Sequence, residues 1–209
     1  MMTAMRGVLS SLGPVEQRAL LDDLNYLNLR KIRTFCDRHS IPYRVLVETA
    51  DGHRRPTRDT DRKPVILGRV RHWLTTGEVP EATCIPARIV RQGGPPGGLR
   101  PTDRLYYRWY SKTSGSVMGL LKDLTGGRFE NGALARVLVM EFWSRGEAPT
   151  FAEFADAWVA ARQEPRDLLS ADYAFLTDLR RGQAGPEWTS MRVRKAERVL
   201  AVLDELAGR

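Results

Sequence analysis

At 209 residues, 42% of them apolar and 28% charged, the chain can bury roughly 70% of its unfolded surface, so folding requires neither a metal nor a disulfide, and no apolar run reaches the roughly eighteen residues of a membrane span. Two cysteines make no disulfide framework, and the opening MMTAMRGVLSSLG, with one arginine and a short apolar patch, is too weak for a secretory signal; a reducing cytoplasm is the expected location. The net charge of +8 is uneven: residues 1–100 hold 17 Lys and Arg against 10 Asp and Glu, and residues 101–209 hold 16 against 15, so the first half carries the field that attracts a polyanion.

Pro14 opens a first helix in PVEQRALLDDL, where Leu20, Leu21 and Leu24 make an apolar stripe. Asn28 is placed to cap a second helix, LRKIRTFCDRHS, with Leu29, Ile32, Phe35 and Cys36 on one face and Arg30, Lys31 and Arg38 opposite. Ile41-Pro42 ends it, because the residue before proline is biased away from the α region. An extended YRVLVET follows, Ala50-Asp51-Gly52 reads as a tight turn, and HRRPT pairs back as a small β-hairpin whose returning strand Pro56 confines to a sheet edge. A third helix is expected to start near Asp61, well placed as its cap, to accept Pro64 in its first turn, to bury Ile66, Val70, Trp73 and Leu74, and to end at Gly77 in a left-handed C-cap.

Glycine and proline then block helix and sheet alike in RQGGPPGGLRP, residues 91–101, a linker between a basic domain at 1–90 and a helical domain at 102–209. In LYYRWYSK, residues 105–112, a strand would set Leu105, Tyr107 and Trp109 against Tyr106, Arg108 and Tyr110; core packing is preferred over base stacking for these rings. Leu120, Leu121 and Leu124 mark one helix, and Leu134, Val137, Leu138 and Phe142 another. Thr150 with Glu153 forms a capping box ahead of Phe151, Phe154, Ala155 and Trp158. A last helix runs from about Thr189 with Ala196, Val199, Val202, Leu203 and Leu206 inward. Arg192, Arg194, Lys195 and Arg198 crowd its opening turns against the macrodipole, with Glu187 and Glu197 preferred as the compensation over a polyanion shared with the first domain.

The stretch HRRPTRDTDRK, residues 53–63, combines four arginines, a lysine and a histidine with two aspartates. Guanidinium forks on extended backbone that leads into a helix N-terminus suit successive phosphates. Pairing of the arginines with Asp51, Asp59 and Asp61 is the competing reading, though exposed pairs are worth only about 0–1 kcal/mol each. The order of an amphipathic helix ending CDRHSIP, a basic extended connector, and a helix beginning DRKPVILGRVRHWLTTG, over residues 25–77, resembles a SAP domain, the helix–extended–helix nucleic-acid module. The resemblance implies DNA binding with little sequence preference, through Arg30 and Lys31 on the first helix and Arg62 and Lys63 at the start of the second. SAP domains join their helices by a shorter connector, so the hairpin with Arg54, Arg55 and Arg58 has no counterpart in the common pattern. The segment from RLYYRWYSK to PTFAEFADAW is similar to a helical tail domain that accompanies SAP-like segments in bacterial proteins, which implies an architecture and no chemistry.

Two further constellations bear on chemistry. Cys36, His39, His72 and Cys84 are potential zinc ligands, but their spacing is unusual and Cys36 falls on a buried stripe, so core packing and no metal are expected. Asp59 and Asp61, with Glu48 and Asp51 near, are a candidate Mg²⁺ pair for phosphodiester cleavage, which the neighbouring arginines neutralise. The chain has no Gly-rich phosphate loop, no H-E-x-x-H helix and no nucleophile constellation. The sequence therefore predicts a mainly α protein, a SAP-like module with a small β-hairpin insertion plus a helical C-terminal domain. It is expected to bind duplex DNA without catalysis or cofactor, through Arg30, Lys31, Arg54, Arg55, Arg58, Arg62, Lys63 and Arg69. The alternative is a cytoplasmic adaptor whose helical domain holds an acidic protein partner.

Overall fold

Seven α-helices and a small three-stranded mixed sheet form from residues 8–163 and 186–207, the part of the chain that the computed structural model describes. The opening residues 1–7 lie outside it. Among the described residues, no helix is long and apolar enough to cross a membrane. Contacts group these residues into two units, one from 8–44, 60–82 and 186–207 and the other from 45–59 and 83–163, so the Gly/Pro segment at 91–101 lies inside the second and the last helix belongs to the first.

In the first unit, Pro14 supplies the first residue of α1 (Pro14–Asp23), and the Glu16 carboxylate accepts from the Gly13 N–H at 2.9 Å. The Asn28 side chain caps α2 (Leu29–Arg38), accepting from Lys31 N at 2.9 Å. Ile32, Phe35 and Cys36 of α2 are buried, but Leu29 is 39% exposed. As the first helical residue its side chain leans toward the N-terminus, where no earlier turn of the helix lies beneath it. The helix ends sooner than Ile41-Pro42 requires. Ser40 sits at φ +55°, and Ile41 N donates back to Cys36 O at 2.9 Å, a Schellman closure with serine in the left-handed position.

Helix α3 (Lys63–Thr76) carries Pro64 in its first turn, buries Ile66, Leu67, Val70 and Leu74, and ends at Gly77 with φ +79°. Trp73 is only partly buried. Asp61 does not cap this helix; Arg62 occupies the N-cap position without a side-chain cap bond, and Asp61 turns to Arg69 instead. Helix α7 (Pro186–Ala207) completes the core with Ala196, Val199, Leu203 and Leu206, and Val202 is partly buried. It starts three residues earlier than its apolar pattern marks, so Arg192 to Arg198 lie beyond the first turn, where the macrodipole acts little. Lys195 pairs with Asp23 at 2.9 Å. The Glu187 side chain lies outside the described residues.

In the second unit, β1 (Arg44–Glu48) is the central strand, between β2 (Arg54–Thr60) and the short β3 (Cys84–Ile85). The β1–β3 pairing is parallel, with Leu46 opposite Cys84 and Val47 opposite Ile85. Thr49 N donates to His53 O at 2.8 Å and Gly52 takes φ +79°, closing the β1–β2 turn. Strand β2 lies at the sheet edge, where the missing N–H of Pro56 costs no ladder bond.

Three helices cover this sheet's core. Ser114 accepts from Val117 N to cap α4 (Gly115–Leu124), which buries Val117 and Leu121 and leaves Leu120 and Leu124 half-buried. Helix α5 (Ala133–Ser144) buries Ala135, Val139 and Trp143, one residue round from the expected stripe, while Leu134, Leu138 and Phe142 are half-buried. Trp143 fixes that rotation, since its indole N–H donates to Leu105 O at 2.9 Å inside the core. The Thr150–Glu153 box starts α6 (Phe151–Gln163): Thr150 N donates to the Glu153 carboxylate at 2.7 Å and Glu153 N to Thr150 Oγ1 at 3.1 Å. Phe151, Phe154, Ala155 and Trp158 are all buried.

The 105–112 segment is not a strand. Leu105 N bonds Pro149 O, Tyr107 N bonds Ile89 O, and a turn follows with Arg108 at φ +68°. Leu105 and Tyr107 are buried, and the Tyr107 ring meets Trp143 edge-on at 5.2 Å.

Candidate nucleic-acid interface

Strand β2 presents Arg54, Arg55 and Arg58, all exposed, on an edge strand with little apolar cover. Strand periodicity puts Arg54 and Arg58 on one face with Pro56 between them and turns Arg55 to the other. Four residues of strand span about 13 Å, the axial rise of about four phosphates along one strand of a duplex.

The nearby carboxylates decide whether these cations are available, and each is engaged elsewhere. Asp51 accepts from the Thr49 hydroxyl and from His53 N, which hold it below the usual carboxylate range; Arg55 is the last and smallest of the causes. Asp59 accepts from the Tyr107 hydroxyl and pairs with Arg108 Nε at 3.3 Å. Burial and that bond to Asp59 push the Tyr107 phenol up. Glu48 accepts from Ala87 N at 3.2 Å. Among the described residues, Arg54, Arg55 and Arg58 therefore enter no ion pair.

The remaining candidates stand in the first unit and divide by burial. Arg30 is exposed and Lys31 half-buried, on opening turns whose backbone Asn28 caps. Arg62 and Lys63 are half-buried and both have partners; the Lys63 ammonium donates to Asn25 O. Arg69 differs from all the others, because it is buried: its Nη1 donates to Asp61 Oδ2 at 2.7 Å and to Pro42 O at 2.8 Å. Its position on the inward face of α3, among Ile66, Leu67 and Val70, takes it out of the set that can meet a phosphate. Asp61 is the partner such a buried cation requires.

Of the four potential metal ligands, Cys36 and His39 are occupied with packing, His72 lies 4.0 Å from Glu78 at the surface, and Cys84 is half-buried on β3. Cys36 is fully buried, and burial pushes its thiol up to about 11. His39 lies against two rings, 4.5 Å from Phe35 and 4.5 Å from Trp73, and burial, then Arg38, lower its pKa. Among the described residues no group of three or more His, Cys, Asp or Glu is placed to hold a metal ion. Asp59 and Asp61, alternate residues of one strand end, turn to different partners, Arg108 and Arg69.

No family model matches the chain, and neither a curated protein nor a solved structure matches it.

Proposed function

We propose that the protein binds nucleic acid, duplex DNA first among its forms, through phosphate contacts and without catalysing a reaction. The observation that carries this reading is the exposed Arg54, Arg55 and Arg58 on β2 beside three carboxylates that are each bonded elsewhere. A solvated strip of that kind lowers its electrostatic energy by meeting a polyanion, and a strand edge offers extended backbone that side chains can leave in register with phosphates. The helix–extended–helix order of residues 25–77 supports the same reading, with Arg30 and Lys31 as further cations of the first unit.

The test is fluorescence anisotropy on a labelled duplex across a salt series, with single-stranded DNA and RNA in parallel. Contact with about six phosphates gives a log–log slope of roughly −5, and Arg54→Glu with Arg55→Glu and Arg58→Glu removes about three units of it. Equal affinity of the triple variant would discard this surface. No binding at low salt would discard nucleic acid altogether and leave an acidic protein partner as the object of search.

A further inference from the structure

The second unit contains an open cleft of about 650 Å³ whose lining includes Asp59, Arg108, Lys112, Asn131, Arg136 and Trp143. That size falls within the range of small-molecule sites. Three cations face one carboxylate there; Arg108 pairs with Asp59 through Nε at 3.3 Å and lies 5.9 Å from the Tyr107 ring centre, with its side chain still 56% exposed. Lys112 and Arg136 are exposed and have neither an ion pair nor a side-chain hydrogen bond among the described residues. The Arg136 charge nonetheless reaches the wall of the cleft, since it counteracts the rise that burial imposes on the Tyr110 phenol.

A neighbouring cleft of about 720 Å³ shows the contrast. Its Arg88 donates to Gly146 O at 3.0 Å and its Arg104 to Ala148 O at 2.8 Å, so its cations hold the fold together. In the first cleft, Lys112 and Arg136 enter no ion pair or side-chain hydrogen bond among the described residues, and Arg108 is held at φ +68°, a backbone state that L-residues avoid. Held strain that aims a guanidinium into a concave, cation-lined space is the arrangement expected of a phosphate clamp.

We infer that this cleft binds the phosphate group of a small phosphorylated molecule, with Arg108, Lys112 and Arg136 as its clamp and Tyr110 and Asn131 on its wall. Tyr110 donates to Asn131 Oδ1 at 2.7 Å, which leaves the Asn131 amide N–H₂ free to donate toward a ligand. The cleft takes Asp59 from β2, but Arg54, Arg55 and Arg58 are not among its lining residues, and the inference does not rest on the nucleic-acid reading.

Calorimetric titration of the full chain with pyrophosphate and with adenosine triphosphate, at ionic strength held constant by chloride, tests it. The expected result is saturable binding with Kd below about 1 mM, weakened at least about tenfold by Lys112→Gln with Arg136→Gln, and retained by the triple glutamate variant of Arg54, Arg55 and Arg58. Both substituted clamp residues are exposed, so circular dichroism should show an unchanged fold. Absence of saturable heat, equal affinity in the Lys112/Arg136 variant, or loss in the β2 variant alone would overturn the assignment.

Discussion

Arg69→Met separates a structural cation from a binding one. Arg69 and Asp61 lie 2.7 Å apart with side chains only 10% and 5% exposed, and Arg69 also satisfies the Pro42 carbonyl. Methionine keeps the stem and removes the fork, so the Asp61 carboxylate is left buried beside an unsatisfied carbonyl. Breaking one side of a buried pair costs about 3–5 kcal/mol, a large share of the roughly 5–15 kcal/mol that holds a domain. At about 2–4 °C per kcal/mol for a chain of this size, the melting point should fall by roughly 6–20 °C. Arg38→Ala is the internal control. Its 2.9 Å pair with Asp204 is about 60% exposed on both sides, so water and side-chain entropy cancel most of the attraction and the cost stays below about 1 kcal/mol. Urea midpoints of both variants, with the Asp61→Leu, Arg69→Met double variant, provide the assay. The double variant should recover much of the loss, because no lone charge remains inside. A shift for Arg69→Met no larger than that for Arg38→Ala would refute the argument, and a shallower salt slope for DNA with stability intact would return Arg69 to the binding set.

Ser40→Gly should stabilise the first unit by about 0.5 kcal/mol, since the relief of φ +55° exceeds the entropy that glycine adds to the unfolded chain; a urea midpoint that does not rise would show that Ser40 is unstrained. The Cys36 thiol, pushed up to about 11 by burial first and Asp37 second, is protonated in the folded state well above the ordinary value near 8.5. The folded state then holds the proton more tightly than the unfolded one. Its contribution is whole below about pH 8.5 and is lost as pH rises through about 11. Urea stability between pH 8 and 10.5 should therefore fall more steeply for the wild type than for Cys36→Ala, and parallel curves would count against burial of this thiol.

Local rules carried the helices well and the packing between distant segments poorly. The Asn28 cap, the Thr150–Glu153 box, the Gly77 stop and the Pro56 edge strand all depend on residues within four positions of one another, and all four form. At 105–112 a strand reading would set Leu105, Tyr107 and Trp109 on one face, and a strand period sees only near neighbours. What breaks it is the left-handed turn at Arg108, together with the amide bonds from Leu105 to Pro149, 44 residues on, and from Tyr107 to Ile89, 18 residues back. The α5 face missed by one residue for the same reason: Trp143 points inward to reach the Leu105 carbonyl, 38 residues back. β3 is two residues long and exists through its parallel pairing with β1, a contact no pattern within Cys84-Ile85 encodes.

The candidate site divides along the same line. Exposure of Arg54, Arg55 and Arg58 follows from strand propensity with no apolar neighbour, and is legible in HRRPTRDT. The fate of the acids is not. Asp59 lies beside Arg58 in sequence yet pairs with Arg108, and Asp61 lies beside Arg62 yet pairs with Arg69. Adjacent residues on extended backbone point to opposite sides, so a side chain seldom closes on its own neighbour; the carboxylate goes to whichever cation its side of the strand faces. Counting charges along the stretch therefore understates the field it presents. Its two carboxylates, Asp59 and Asp61, neutralise cations outside 53–63, while Arg54, Arg55 and Arg58 enter no ion pair among the described residues. A polyanion meeting this strand meets a potential closer to that of three arginines than to the net value of the segment, and the salt slope for DNA measures that difference directly.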